Sequence, residues 1–248
     1  MVDAPIPAAT LILFRDCRGG PPDVLMVERA KAMAFAAGAM VFPGGRIDPG
    51  DHALAAMIGE GEDIAAHIAA IRETIEEAGI AIGLTPPPTP AQVAEIRTRL
   101  HAGAPFAAIL GDLDLGIDPD ALVPFARWLP DHPGIRIFDT LFYIARAPAD
   151  AAPSVDETET VRLVWTSAAA MLGDADAGRA TIIYPTRRNL ERLARFADYD
   201  AAVADARKHP IRTITPHVEN RDGVAYLCIP DDLGYPVTAE PIEAVRRG

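Results

Sequence analysis

Cysteine is scarce in this chain. There are two in 248 residues, Cys17 and Cys228, far apart and without metal-ligand spacing. That excludes a disulfide framework and a thiolate metal site, and it fits a reducing compartment with two buried or half-buried thiols. Positive charge is also scarce: 23 Lys and Arg face 35 Asp and Glu, a net charge of -12. A protein that grips nucleic acid through its phosphates needs clustered cations, so that class is excluded. A small anionic substrate is not, because a bound divalent cation can reverse the local field. No apolar run approaches the ~20 residues of a membrane span. The opening MVDAPIPAAT has an acid and two prolines where a secretion signal has basic and then apolar residues. The expectation is a cytoplasmic protein with no membrane partner. No internal repeat is visible. What is present is a 50% hydrophobic chain, enough for one large domain or a core domain with insertions.

Strand and helix signals alternate irregularly. AATLILF (8–14) and VLMVE (24–28) read as strands flanking the GGPP turn, a hairpin pair. Residues 63–78 form the clearest helix pattern. PPPTP (86–90) breaks the chain, and strands resume after it, which marks an insertion better than a domain boundary. Residues 91–102 read as helix, 121–129 and 136–146 as strands, and 161–165 as a strand before a short helix at 167–172. Pro185 opens a helix to about Phe196. The tail from about 208 reads as irregular with one strand at 224–229. This pattern favours an α/β fold of mixed α+β character, a mixed sheet with helices on both faces.

The chemistry concentrates in RETIEEAGI (72–80). Ile64, Ile68, Ile71, Ile75 and Ala78 recur at steps of four and three, one apolar stripe facing a core. Off that stripe stand Arg72, Glu73, Glu76 and Glu77. The glutamates are three and four residues apart, hence neighbours on the helix surface. They crowd a C-terminal end that prefers cations, just before Gly79, the expected C-cap. Two readings follow. One is a solvated acidic face with Arg72 paired to Glu76. The other is a site for a hard divalent cation, which takes oxygen ligands and keeps positions open for phosphate. Upstream, VFPGGRIDPGD (41–51) ends a strand in Gly44 and Gly45, which allow a sharp turn and a close backbone approach.

Together the two stretches resemble the Nudix box, G-x5-E-x7-R-E-U-x-E-E-x-G-U, with U a bulky aliphatic residue. Gly45 is followed by five residues and then Asp51 in the place of the first Glu. Arg72, Glu73, Glu76, Glu77, Gly79 and Ile80 fill the second half in register. Thr74 stands where an aliphatic residue is usual. Twenty residues, 52–71, replace the usual seven, an insertion around 52–63 expected as a short helix and turn. The likeness covers most of residues 8–200. It is nearest to the branch related to coenzyme A diphosphatases, which also carries an interrupted box. It implies a Nudix-type α/β/α sandwich with a mixed β-sheet and a helical insertion. The chain then reads as a single domain over 1–248, with 86–133 as a lid or dimer contact.

The resemblance further implies a diphosphatase using Mg²⁺ or Mn²⁺ on a small-molecule nucleoside-diphosphate substrate, with a homodimer admitted. Glu73, Glu76, Glu77 and the Gly44 carbonyl would hold the metal, and Arg72 would brace the glutamates. Glu157 and Glu159 are candidates for the general base, with the box glutamates as alternative; each also reads as a solvated loop charge. Arg29, Arg46 and Gly45 would meet the diphosphate, and surface solvation is an equal reading for both arginines. His67 and Trp165 read as structural. Coenzyme A or an acyl-coenzyme A is the first substrate reading. A nucleotide sugar, ADP-ribose or a dinucleotide is the second, and a non-catalytic sensor the third. Isomerisation of an isopentenyl diphosphate is the fourth, weakened because neither cysteine is suitably placed.

Overall fold

A computed structural model describes residues 4–30, 36–59, 63–130, 137–149, 151–155 and 160–245. In chain order the elements are β1 (Ile6–Arg15), β2 (Asp23–Arg29), β3 (Met40–Val41), β4 (Gly44–Arg46), α1 (Pro49–Ile58) and α2 (Ile64–Ala78). Then come β5 (Leu84–Thr85), α3 (Pro90–His101), α4 (Phe106–Asp112), β6 (Gly116–Ile117), β7 (Val123–Trp128) and β8 (Phe138–Arg146). After these follow β9 (Thr160–Ser167), α5 (Ala168–Asp176), α6 (Tyr184–Leu193), α7 (Tyr199–Lys208) and β10 (Thr213–Ile214). The chain closes with β11 (His217–Arg221), β12 (Val224–Cys228), β13 (Ala239–Pro241) and α8 (Ile242–Val245).

The main sheet runs β10-β7-β8-β1-β2-β3, with β4 laid on β1 and β9 on β2. It is mixed: β1 and β8 are parallel, while β1 pairs antiparallel with β2 and with β4. The central strands are apolar on both faces, as strands covered twice must be. Along β1, Ala9, Leu11 and Leu13 point to one face, Ile12 and Phe14 to the other. The first face packs against α1, α2, α3 and α4 through residues such as Ile68, Ile71, Ile75, Ile96 and Ile109. The second packs against α5, α6 and α7 through Met171, Leu190, Leu193 and Ala202. This is the expected α/β/α sandwich.

The sheet positions the site. β1 shares its length, pairing with β2 at Phe14 and Arg15 and with β4 from Ala8 to Thr10. The two glycines therefore lie along the first half of β1, beside the end of α2. A β-carbon on Gly44 would meet the Ala9 carbonyl and Thr10, so only glycine permits this approach.

Two expectations need correction. The helix in the box insertion starts earlier than residue 52, at Pro49, because Pro suits a first helical turn and Asp51 Oδ2 accepts the Asp48 N–H at 2.8 Å. The tail is also more ordered than expected. β11, β12 and β13 form their own antiparallel sheet, and β10 joins the main sheet beside β7. β11 is nearly all exposed and polar, so no apolar alternation announces it.

Candidate active site

A cavity of about 650 Å³ opens between the glycine loop, α2, the sheet and α6. Its wall includes Glu73, Glu76 and Glu77 with Arg72, Arg29, Arg46, Gly44 and Gly45. Eight residues singled out in the sequence thus meet in one place. Glu157 and Glu159 lie outside the described residues.

Arg72 organises the carboxylates. It is buried, and its Nε and Nη2 donate to the two oxygens of Asp51 at 2.9 and 2.8 Å. Nη2 also donates to the Arg46 carbonyl at 3.0 Å. Nη1 donates to Glu73 Oε1 and Glu76 Oε1, each at 2.9 Å. Burial works against the guanidinium charge, but Asp51, Glu73 and Glu76 more than offset it and raise its pKa. The fork geometry suits such bidentate pairing, and a lysine could not span these partners. Asp51, the acid before the insertion, is itself buried and does double service: it caps α1 and anchors Arg72. The thirteen added residues leave its place beside the box helix intact.

The glutamates are not a solvated face. Glu77 is buried, and its Oε2 accepts the Gly44 N–H at 3.0 Å, tying helix to glycine loop. Glu73 lies against Gly45, where any β-carbon would strike its carboxylate. Burial pushes the Glu73 pKa up to about 7; Arg72 opposes the rise, and the Glu76 and Asp48 charges add to it. The Arg72–Glu76 pair of the solvated reading does exist, but within a carboxylate cluster rather than in water. Thr74, in the place of an aliphatic residue, is fully buried and donates its hydroxyl to the Ala70 carbonyl at 2.7 Å, so it carries no unmet polar group.

The donor set fits a hard divalent cation. Carboxylate oxygens outnumber the cations facing them, and the Glu76 and Asp48 charges add to the rise that burial gives the Glu73 pKa. Among the described residues, Glu73 and Glu76 each give one oxygen to Arg72, and their second oxygens take no hydrogen bond. No three acidic, His or Cys side chains there stand as a ready-made cage, so binding requires the side chains to converge. Arg29 faces Glu77 at 4.0 Å, and its buried Nε has no hydrogen-bond partner among the described residues. Arg46 is exposed at the mouth.

The rest of the wall was not foreseen. Trp128, Phe138, Phe142 and Ile183 make one side apolar, and Leu100 and His101 of α3 close another. Trp128 is held by donating its indole N–H to Tyr235 Oη at 3.2 Å, and Tyr235 donates to Asn189 at 2.8 Å. Nothing in the sequence singles these residues out, and only the strand order brings them to the carboxylates. His67, expected as structural, is buried on α2 with Nε2 3.1 Å from the Asp118 carbonyl. Trp165 is partly buried against the core.

Comparison with solved structures agrees with the fold expected from the box. A crystal structure of a NUDIX hydrolase from Alicyclobacillus acidocaldarius superposes with a TM-score of 0.72 at 28% identity, covering 82% of this chain and 97% of that one. In sequence and in fold this chain is similar to the Nudix hydrolases. A Caenorhabditis elegans protein named "Putative nudix hydrolase 7" is 25% identical over 218 residues, 86% of this chain and 69% of that protein. No family model matches the chain. α2 carries the second half of the Nudix-like box, and the Asp51–Arg72 pair joins it in space to the acid before the insertion.

Proposed function

We propose that this protein uses Mg²⁺ or Mn²⁺ to cleave the diphosphate linkage of a nucleoside-diphosphate derivative, with coenzyme A or an acyl-coenzyme A as substrate. The observation that carries the reading is one cavity joining the three glutamates to a long apolar wall. Such a shape suits a ligand with a diphosphate at one end and an extended, partly apolar group beyond it.

In this reading Glu76 and Glu77 are the chief ligands of the cation, with Glu73 and the Gly44 carbonyl beside them. The bound cation would neutralise the diphosphate oxygens and stabilise charge as water attacks phosphorus. Arg72 holds two of the carboxylates apart from bulk water and fixes their direction. Arg29, with its spare donors, receives a phosphate oxygen, and Arg46 meets the outer phosphate at the mouth. A glutamate takes the proton of the attacking water: Glu157 or Glu159, which precede β9 in sequence, or Glu73 from the box. Trp128, Phe142 and Leu100 exclude water around the remainder of the substrate, and binding energy from that part appears in kcat/KM.

The test is hydrolysis of coenzyme A, ADP-ribose, NADH and diadenosine polyphosphates with Mg²⁺ or Mn²⁺, read by mass spectrometry. The expected products from coenzyme A are adenosine 3′,5′-bisphosphate and 4′-phosphopantetheine. If coenzyme A is inert while ADP-ribose or a dinucleotide turns over, the substrate is the smaller diphosphate and the coenzyme A reading falls.

A further inference from the structure

The crowded end of α2 poses an electrostatic problem that the box alone does not solve. Its last turn has no basic residue, yet it carries Glu76 and Glu77 at the negative pole of the helix. Gly79, left-handed at φ 66°, caps the helix by donating to the Ile75 carbonyl, but later carbonyls still need donors. They find them outside the box. Arg97, on α3 of the long insertion, donates from Nε to the Glu76 carbonyl at 2.9 Å and from Nη2 to the Glu77 carbonyl at 3.3 Å. One turn further along α3, His101 Nε2 lies 3.3 Å from the same Glu76 carbonyl. The same guanidinium binds Ser154, with Nη1 to its hydroxyl at 2.6 Å and Nη2 to its carbonyl at 2.8 Å. Ser154 in turn donates its N–H to the Ala78 carbonyl at 3.0 Å. A β-carbon on Gly79 would lie 2.8 Å from the Ser154 hydroxyl and 3.2 Å from Arg97, so the junction is closed to any larger residue.

The geometry points to Arg97 as a positioning residue for the carboxylate site, acting through the main chain of the very residues whose side chains face the cavity. The inference rests on the cation reading given above. One planar fork joins α2, α3 and the segment 151–155. It places positive charge at the helix end, where three glutamates otherwise repel one another. Loss of that clamp lets the last turn fray, and the Glu76 and Glu77 side chains move with it. Displacements of this kind cost catalysis out of proportion to their size. The segment 86–133 thereby acquires a role beyond walling the cavity: it fixes the direction of the cation ligands.

The experiment titrates Mn²⁺ alone into wild type, Arg97→Ala and Arg97→Lys, following free Mn²⁺ by electron paramagnetic resonance, with thermal melting of each protein. Ile109→Val, a core change in α4 away from the cavity, serves as a control for lost stability. Arg97→Ala is expected to weaken Mn²⁺ binding about tenfold, as loss of outer support does. Arg97→Lys recovers part of it, since one ammonium cannot span both carbonyls and Ser154. Ile109→Val binds as wild type despite a lower melting temperature. Folded Arg97→Ala with wild-type Mn²⁺ affinity overturns the inference, as does Ile109→Val losing affinity in step with stability. If both Arg97 variants fail to fold, Arg97 is a structural clamp only and the inference falls. Wild type that binds no Mn²⁺ overturns the cation reading itself.

Discussion

Arg72 and Asp51 show how single residues carry the interrupted box. Five donors of one guanidinium are shared among two carboxylates of the helix, one from before the insertion and one carbonyl. The sequence placed Arg72 beside Glu76 by spacing, and it matched Asp51 to the first acid of the box. It could not show that twenty intervening residues bring the two together, because that depends on the path of α1. His67 offers a separate test at this scale. Burial lowers its pKa, against the pull of Asp118 and Asp120, so the folded protein holds it neutral below the ordinary value of 6.5. Tyr143 of β8 packs edge-on against its ring. The unfolded chain takes up the proton first as pH falls. The stability from neutral His67 is therefore full above pH 6.5 and is lost on acidification below it. Melting of wild type and His67→Gln should show a difference that shrinks from neutral pH to below about 6. A difference independent of pH would mean that His67 is not held neutral by its burial.

At the scale of elements, α2 was legible because its stripe repeats strictly: Ile68, Ile71, Ile75 and Ala78 are all fully buried. Its start and stop were also readable, the stop from Gly79. The degree of burial on the other side was not, since Arg72 and Glu77 are as enclosed as many apolar residues. Charged side chains predict solvent unless their partners are known. α7 passed unread because its buried face is only Ala202 and Ala206, too weak a periodic signal, although Asp198 caps it. α4 is seven residues long and lies between glycine and proline signals. The left-handed Gly79 gives this scale its prediction. Gly79→Ala should cost about 1–2 kcal/mol from backbone strain, and more because its β-carbon meets Ser154 and Arg97. Chemical denaturation measures it, and a cost below half a unit of that range would mean that the junction can yield.

For the whole molecule, the sandwich followed from runs such as AATLILF and VLMVE, which are apolar on both faces, and from helices before and after them. The cavity did not follow. Its carboxylate end comes from one helix and one loop close in sequence, whereas its apolar wall draws on α3, β7, β8 and the turn into α6. Contacts between residues far apart in the chain are set by strand order, which composition and periodicity leave open. The same division explains why the chemistry was readable and the substrate was not. The account's central claim is that the glutamates of α2 hold a catalytic cation. Glu76→Gln and Glu77→Gln remove ligand charge while keeping shape. They also relieve repulsion at the helix end, so melting without metal should be unchanged or slightly higher. The direct measurement is turnover of the best diphosphate substrate by wild type and both variants across a Mg²⁺ titration. The account predicts metal-dependent wild-type turnover and a loss of about a hundredfold or more in each variant, with folding intact. Near wild-type turnover by either variant at saturating Mg²⁺ would contradict it.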